Sequence, residues 1–172
     1  MGSLQRTRAG TARPVGLLSA VLVGLLTGGM VLIEVVLLPF WRSVPPEEFR
    51  RWFTANAPRI RALMVPLGAA AGAAGVATAA AEASVSRRPG PASLTAAAAT
   101  VGVVAVTVAV NEPANARFTG GSLTDAETRD LLASWARWHH VRVGLGVVAA
   151  VAAAAALGGR PQPRPARRMA VR

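Results

Sequence analysis

Four runs of this sequence are long and apolar enough to cross a bilayer: about 15–40, 62–81, 92–111 and 141–159. A helix needs roughly 20 such residues to span the hydrocarbon core. In that medium every backbone amide must bond inside its own segment, so each run is predicted to be a helix. Glu34 is the one charge in the first run, and the second and third carry none. The hydrophobic fraction is 52% but aromatics make up only 5%, and mean hydropathy is +0.41. Ala, Val, Leu and Gly supply the apolar mass, which excludes an ordinary soluble enzyme and a disordered chain. With no cysteine there is no disulfide, thiolate or iron–sulfur chemistry.

The net charge of +11 comes from arginine alone, and it sits between the apolar runs. That placement points to membrane topology and away from nucleic acid. Arg6, Arg8, Arg13, Arg87, Arg88 and five arginines of the C-terminal tail fall on one side of a four-span chain. Arg42, Arg50, Arg51, Arg59, Arg61, Arg117, Arg129 and Arg137 fall on the other. The excess places both termini in the cytoplasm of a multi-pass cell-membrane protein. Arg6, Arg8 and Arg13 also resemble a signal-peptide leader. The apolar run behind them is too long for one and lacks a cleavage site, so it is predicted to be a retained helix.

The expected fold is all-α: a four-helix transmembrane bundle with a short interfacial helix in the first loop and a fourth helix extended at its N-terminus. Residues 1–14 form a basic tail, 15–159 the membrane domain, and 160–172 a disordered Arg- and Pro-rich tail. Pro45-Pro46-Glu47-Glu48 is a helix start, and Phe49, Trp52 and Phe53 share its apolar face, with Trp41 nearby. Thr124 and Glu127 fit a capping box, and no Pro or Gly follows before residue 143. Gly68 and Gly72 have small-xxx-small spacing and Gly75 follows. They either bring helices close or reflect Ala/Gly-rich coding bias.

Polar groups at membrane depth are costly, so each is a functional candidate. Alternating spans bring the end of helix one (Glu34), the end of helix three (Asn111, Glu112, Asn115) and the start of helix four to one membrane face. Trp135, Trp138, His139 and Arg142 are three, four and seven residues apart and share a helical face. His140 points about 100° away from His139, so the pair is no bidentate metal motif, and no metal or cofactor is expected.

The order Glu34, Pro39, Pro66, then Asn111-Glu112-Pro113-Ala114-Asn115, then Trp135-Ala136-Arg137-Trp138-His139-His140-Val141-Arg142 resembles the anthrone-oxygenase-like family of small four-helix membrane proteins. The resemblance covers about residues 15–157. It implies cofactor-independent oxygenation of a flat polycyclic aromatic. An anthrone has an acidic C–H conjugated with a carbonyl, and its anion can reduce dioxygen directly. On that reading His139 is the base. Arg142 with Asn111 or Asn115 stabilises the oxyanion. Trp135 and Trp138 wall the substrate, and Glu34 orients His139 or pairs with Arg142.

The bland readings stand beside these. Glu34 and Arg142 form a structural pair, the tryptophans belong to an interface belt, His139 is interhelical glue, and Asn111 caps a helix stopped by Pro113. Glu112, about 100° round from Asn111, reads as solvent-facing. Expected partners are the lipid bilayer and an apolar aromatic small molecule, with no nucleic acid; self-association is left open. The alternative function is a non-catalytic structural or accessory membrane protein. A small transporter is weaker still, since four short helices leave little room for a solute path.

Overall fold

The structure, a computed structural model, describes the backbone of residues 2–86 and 88–158 and the side chains of 13–84 and 88–158. The tail expected at 160–172 and the side chains of Arg6, Arg8 and Arg87 lie outside the described residues. Four helical rods long and apolar enough to cross a membrane make up the fold: Arg13–Ser43, Pro46–Ser84, Pro91–Thr119 and Asp125–Gly158.

The first rod is α1 (Gly2–Leu32), a π turn (Ile33–Leu37) and α2 (Leu38–Ser43). Val44 is extended (φ −97°, ψ 158°) and breaks the chain ahead of α3 (Pro46–Ser86). The third rod is α4 (Pro91–Val106), a second π turn (Thr107–Asn111) and α5 (Glu112–Thr119). Gly121, at φ 75°, turns the chain into α6 (Asp125–Gly158). A left-handed residue here favours glycine, which has no Cβ to clash. Around the bundle α1 packs on α3 and α6, and α4 packs on the other sides of the same two helices.

Three sequence expectations need correction. The interfacial helix is not separate: residues from Pro46 onward form the first turns of α3, which runs straight into the second span. Its aromatics are not spread on a membrane surface either. Phe49 and Phe53 are buried, and with Trp41, Phe118 and Trp135 they cap one end of the bundle with ring centroids 5.0–5.8 Å apart.

The third helix, likewise, is not stopped by Pro113. A proline ring clashes with the carbonyl four residues back, which for Pro39 and Pro113 belongs to Val35 and Ala109. Both carbonyls lie inside a π turn. The wider turn gives the ring room, so each rod continues past its proline. The same insertion shifts side-chain phase, so that residues five apart share a face. Ile33 and Leu38 are both buried on this account.

Away from the aromatic cap the core narrows to Val23, Leu26, Met30, Ala71, Val103 and Ala149, then to Ala96, Ala152 and Ala153. The close approach is not at the Gly68/Gly72 pair: nothing lies within 4 Å of where a Cβ at Gly72 would stand. A Cβ at Gly75 would meet α4, 3.5 Å from the Ala97 Cα, and the tightest approach is at Gly146, where a Cβ would fall 2.6 Å from Met30 Cε and 3.0 Å from Thr27 Oγ1. Thr27 Oγ1 donates to the Gly146 carbonyl there at 3.0 Å, tying α1 to α6. At the cap end Arg50 pairs with Asp125 at 2.9 Å and donates to Thr128 Oγ1 at 2.7 Å, joining the starts of α3 and α6. Thr124 and Glu127 form the expected capping box, with the Thr124 amide 2.8 Å from Glu127 Oε2. At the opposite end Glu82 accepts from the Gly90 amide at 2.9 Å and from Ser93 Oγ at 2.7 Å, which closes the α3–α4 turn.

Candidate functional site

Under the aromatic cap lies a cavity of about 330 Å³, bounded by α1, α3, the third rod and α6. Most of its wall is apolar: Leu26, Met30, Ile33, Trp41, Phe53 and Met64 on one side, Val103, Val104 and Val108 on the other. Polar groups enter from Arg61, Thr107, Glu112, Asn115 and Arg142, with the Trp135 ring between them. An apolar slot with a few converging polar groups is the usual form of a small-molecule site. Val65 and Ala69 on α3 and Val108 on the third rod line the cavity and are exposed on the outer surface. In a bilayer its mouth therefore faces acyl chains.

The π turn explains why Thr107 and Glu112 both reach the cavity. They are five residues apart, on opposite sides of the inserted residue. In an uninterrupted α-helix they would diverge by about 140°. This overturns the reading of Glu112 as solvent-facing: its side chain is 27% exposed and lines the cavity. Arg61 Nε donates to Glu112 Oε2 at 2.7 Å and Asn115 Nδ2 to Oε1 at 3.1 Å. Trp135 Nε1 donates to Asn115 Oδ1 at 2.9 Å. Sequence reasoning missed Glu112 because the i, i+4 rule assumes an unbroken helix, and Arg61 because in the sequence it reads only as a topology charge. The signal available was a proline two residues beyond Asn111.

A second string of polar groups runs behind the cavity wall. His139 is fully buried, with Nε2 3.1 Å from the Met30 carbonyl and Nδ1 3.0 Å from Arg142 Nη2. A carbonyl only accepts and a guanidinium only donates, so His139 carries its proton on Nε2 and offers its Nδ1 lone pair to Arg142. Arg142 Nη1 donates to Thr107 Oγ1 at 3.3 Å. The His139 ring stacks on Trp135 at 4.8 Å, and the Arg142 guanidinium lies 5.9 Å from the centre of the Trp135 ring.

The expected site residues therefore divide. Arg142, Trp135 and Asn115 line one cavity. His139 touches Arg142 but does not line it. Asn111 is fully buried, reaches the Trp135 carbonyl at 3.5 Å and leaves Oδ1 without a partner, also off the cavity wall. Trp138 is 42% exposed and lies outside the cavity.

The expected Glu34–Arg142 pair does not form. Glu34 Oε1 lies 2.7 Å from His140 Nε2, and its other oxygen is 3.8 Å from His139 Nε2, too far for a hydrogen bond. The π turn carrying Glu34 turns it towards His140, the histidine that helical spacing had set apart. Arg142 is 7% exposed and, among the described residues, has no carboxylate in ion-pair contact, although the Glu112 charge acts on it across the cavity; its Nε has no hydrogen bond at all. Among the described residues no three His, Asp or Glu side chains gather as a metal site would need.

Residues 49–152 match the family model of anthrone oxygenase. The chain belongs to the anthrone oxygenase family. The match is narrower than the sequence resemblance, and begins within α3. Every polar residue of the cavity falls inside it, whereas the wall that α1 and Trp41 provide falls outside. No curated protein and no solved structure matches the chain.

Proposed function

We propose that this membrane protein is a cofactor-independent oxygenase acting on a flat, lipid-soluble polycyclic aromatic bearing an acidic benzylic C–H conjugated through the rings with a carbonyl. One observation carries the reading: a buried guanidinium lines an apolar cavity with no carboxylate in ion-pair contact, the Glu112 carboxylate of the same cavity being bonded to Arg61 and Asn115 instead. A buried charge without a counter-ion in contact is costly, and an enolate or phenolate oxygen bound against Arg142 offsets that cost. His139 and Thr107 hold Arg142 in place beforehand, which is the condition for stabilising charge as it develops. Family membership supports the same substrate class.

In the reaction, loss of the C–H proton gives a carbanion whose charge spreads to the carbonyl oxygen at Arg142. The carbanion transfers electrons to dioxygen and forms a C–O bond. The resulting peroxide takes a proton and then loses water, leaving a second carbonyl. Overall one dioxygen is consumed and one water released. Trp135 and Trp41 provide flat walls, and the acyl-facing mouth admits a substrate already dissolved in the membrane. His139 acts as a positioning residue for Arg142, since its only free lone pair is already taken. Asn111, Trp138 and Glu34 have no contact with substrate in this reading. Both termini are placed in the cytoplasm, following the arginine excess.

The test is to incubate the purified protein with dithranol, a dihydroxyanthrone, in oxygenated detergent buffer. Quinone formation well above that of buffer, with matching oxygen uptake, is expected. A rate equal to buffer contradicts the reading. If instead the polar string only holds α1, the third rod and α6 together, Arg142 variants lose thermal stability with no activity to lose.

A further inference from the structure

We propose that Glu112 is the proton acceptor of this cavity, with Arg61 and Asn115 as its positioning residues; the inference rests on the oxygenase reading for its substrate. The reaction needs a base that touches the substrate. His139 is fully buried, absent from the cavity wall, and hydrogen-bonded through both ring nitrogens. Arg61 and Arg142 are donors only. Among the described residues that line the cavity, Glu112 is the sole carboxylate.

Its geometry suits the task. A carboxylate offers about four lone-pair sites. Arg61 occupies one on Oε2 and Asn115 one on Oε1, so each oxygen keeps acceptor capacity. Trp135 fixes Asn115 in turn, so the ring that walls the cavity also sets the angle of the base. Glu112 and Arg142 come from different rods and reach the same cavity. One group receives a proton and the other receives the charge left behind.

In the first step the substrate C–H bond breaks, its proton goes to a Glu112 oxygen, and the electron pair stays on the substrate, opposite Arg142. After dioxygen adds to the carbanion, protonated Glu112 returns the proton to the distal peroxide oxygen. Glu112 then removes the second hydrogen from the same carbon. That electron pair forms the new C=O bond as the O–O bond breaks, and the departing hydroxide takes the proton to become water. The carboxylate ends as it began, and dioxygen is the only oxidant.

An anaerobic experiment separates this inference from the oxygenase reading. Purified full-length protein is incubated with dithranol deuterated at its acidic carbon, without oxygen, and loss of deuterium is followed. Oxygen is then admitted and quinone is measured. Wild-type protein is expected to accelerate exchange, and Glu112→Gln to lower it by about 10²-fold. Binding of a dihydroxyanthraquinone, read by tryptophan quenching, is expected to stay within about threefold. If Glu112→Gln loses probe binding, Glu112→Asp, which keeps the carboxylate, decides by partial rescue of exchange. Failure of wild type to accelerate exchange, or exchange in Glu112→Gln within threefold of wild type, overturns Glu112 as the base. Exchange without quinone formation leaves the base standing and overturns the oxygenase reading alone.

Discussion

Arg142 donates to His139 Nδ1 at 3.0 Å, and this contact decides which of the two residues faces the cavity. The imidazole, anchored to the Met30 carbonyl, sits behind, and the guanidinium stands in front. The histidine that looks like a base in the sequence thereby becomes a support for a cation.

Replacing His139 by Ala removes the acceptor for Arg142 and leaves a void beside Trp135. Two buried hydrogen bonds are lost, one of them to a charged partner. The expected loss of stability is about 2–4 kcal/mol, read as a lower unfolding midpoint in detergent. Quinone formation is expected to fall with it, through a lower kcat more than a higher KM.

Arg142→Lys keeps the positive charge but cannot reach Thr107, His139 and a substrate oxygen together. An ammonium is a compact point charge without the planar fork. A fall in kcat/KM of about 10²-fold is expected, in line with removal of one oxyanion donor. Activity equal to wild type would mean that charge alone suffices.

The glycines separate packing from composition. Gly146→Ala drives a methyl group into Met30 and Thr27, where the flexible methionine yields and the hydrogen-bonded threonine does not. A loss of about 1–3 kcal/mol is expected. Gly72→Ala meets open space within 4 Å and gains the helix preference of Ala, about 0.5–1 kcal/mol. Paired thermal unfolding curves of the two variants check both signs.

Trp135→Phe keeps a ring against the cavity but loses the indole N–H that holds Asn115. Because Asn115 holds Glu112, turnover is expected to drop about tenfold, the scale of one neutral hydrogen bond of about 1–1.5 kcal/mol. The probe should bind almost as well as before, as measured by fluorescence titration on the remaining tryptophans.

The rods were legible because hydrocarbon tolerates so few backbone solutions: four long apolar runs dictate four helices. The relative depth of distant polar groups also followed from alternation, which is why Arg142, Trp135 and Asn115 could be expected together. What spacing could not supply was phase. Glu34 and Glu112 lie in or just after π turns, and one inserted residue rotates each by about 100° relative to an ideal helix. Glu34 therefore meets His140 in place of Arg142, and Glu112 turns inward. Tautomer assignment was equally out of reach, since it depends on a carbonyl of α1 that no side-chain pattern reveals.

The most direct measurement compares quinone formation from dithranol by wild-type protein and by Val108→Trp. Val108 lies on the exposed rim of the cavity, so an indole there narrows the mouth without crowding the core. The account predicts an unchanged unfolding midpoint and a rate of product formation at least about tenfold lower, a barrier of roughly 1.4 kcal/mol or more. A folded Val108→Trp variant that turns over dithranol as fast as wild type would show that the cavity is not where the substrate reacts.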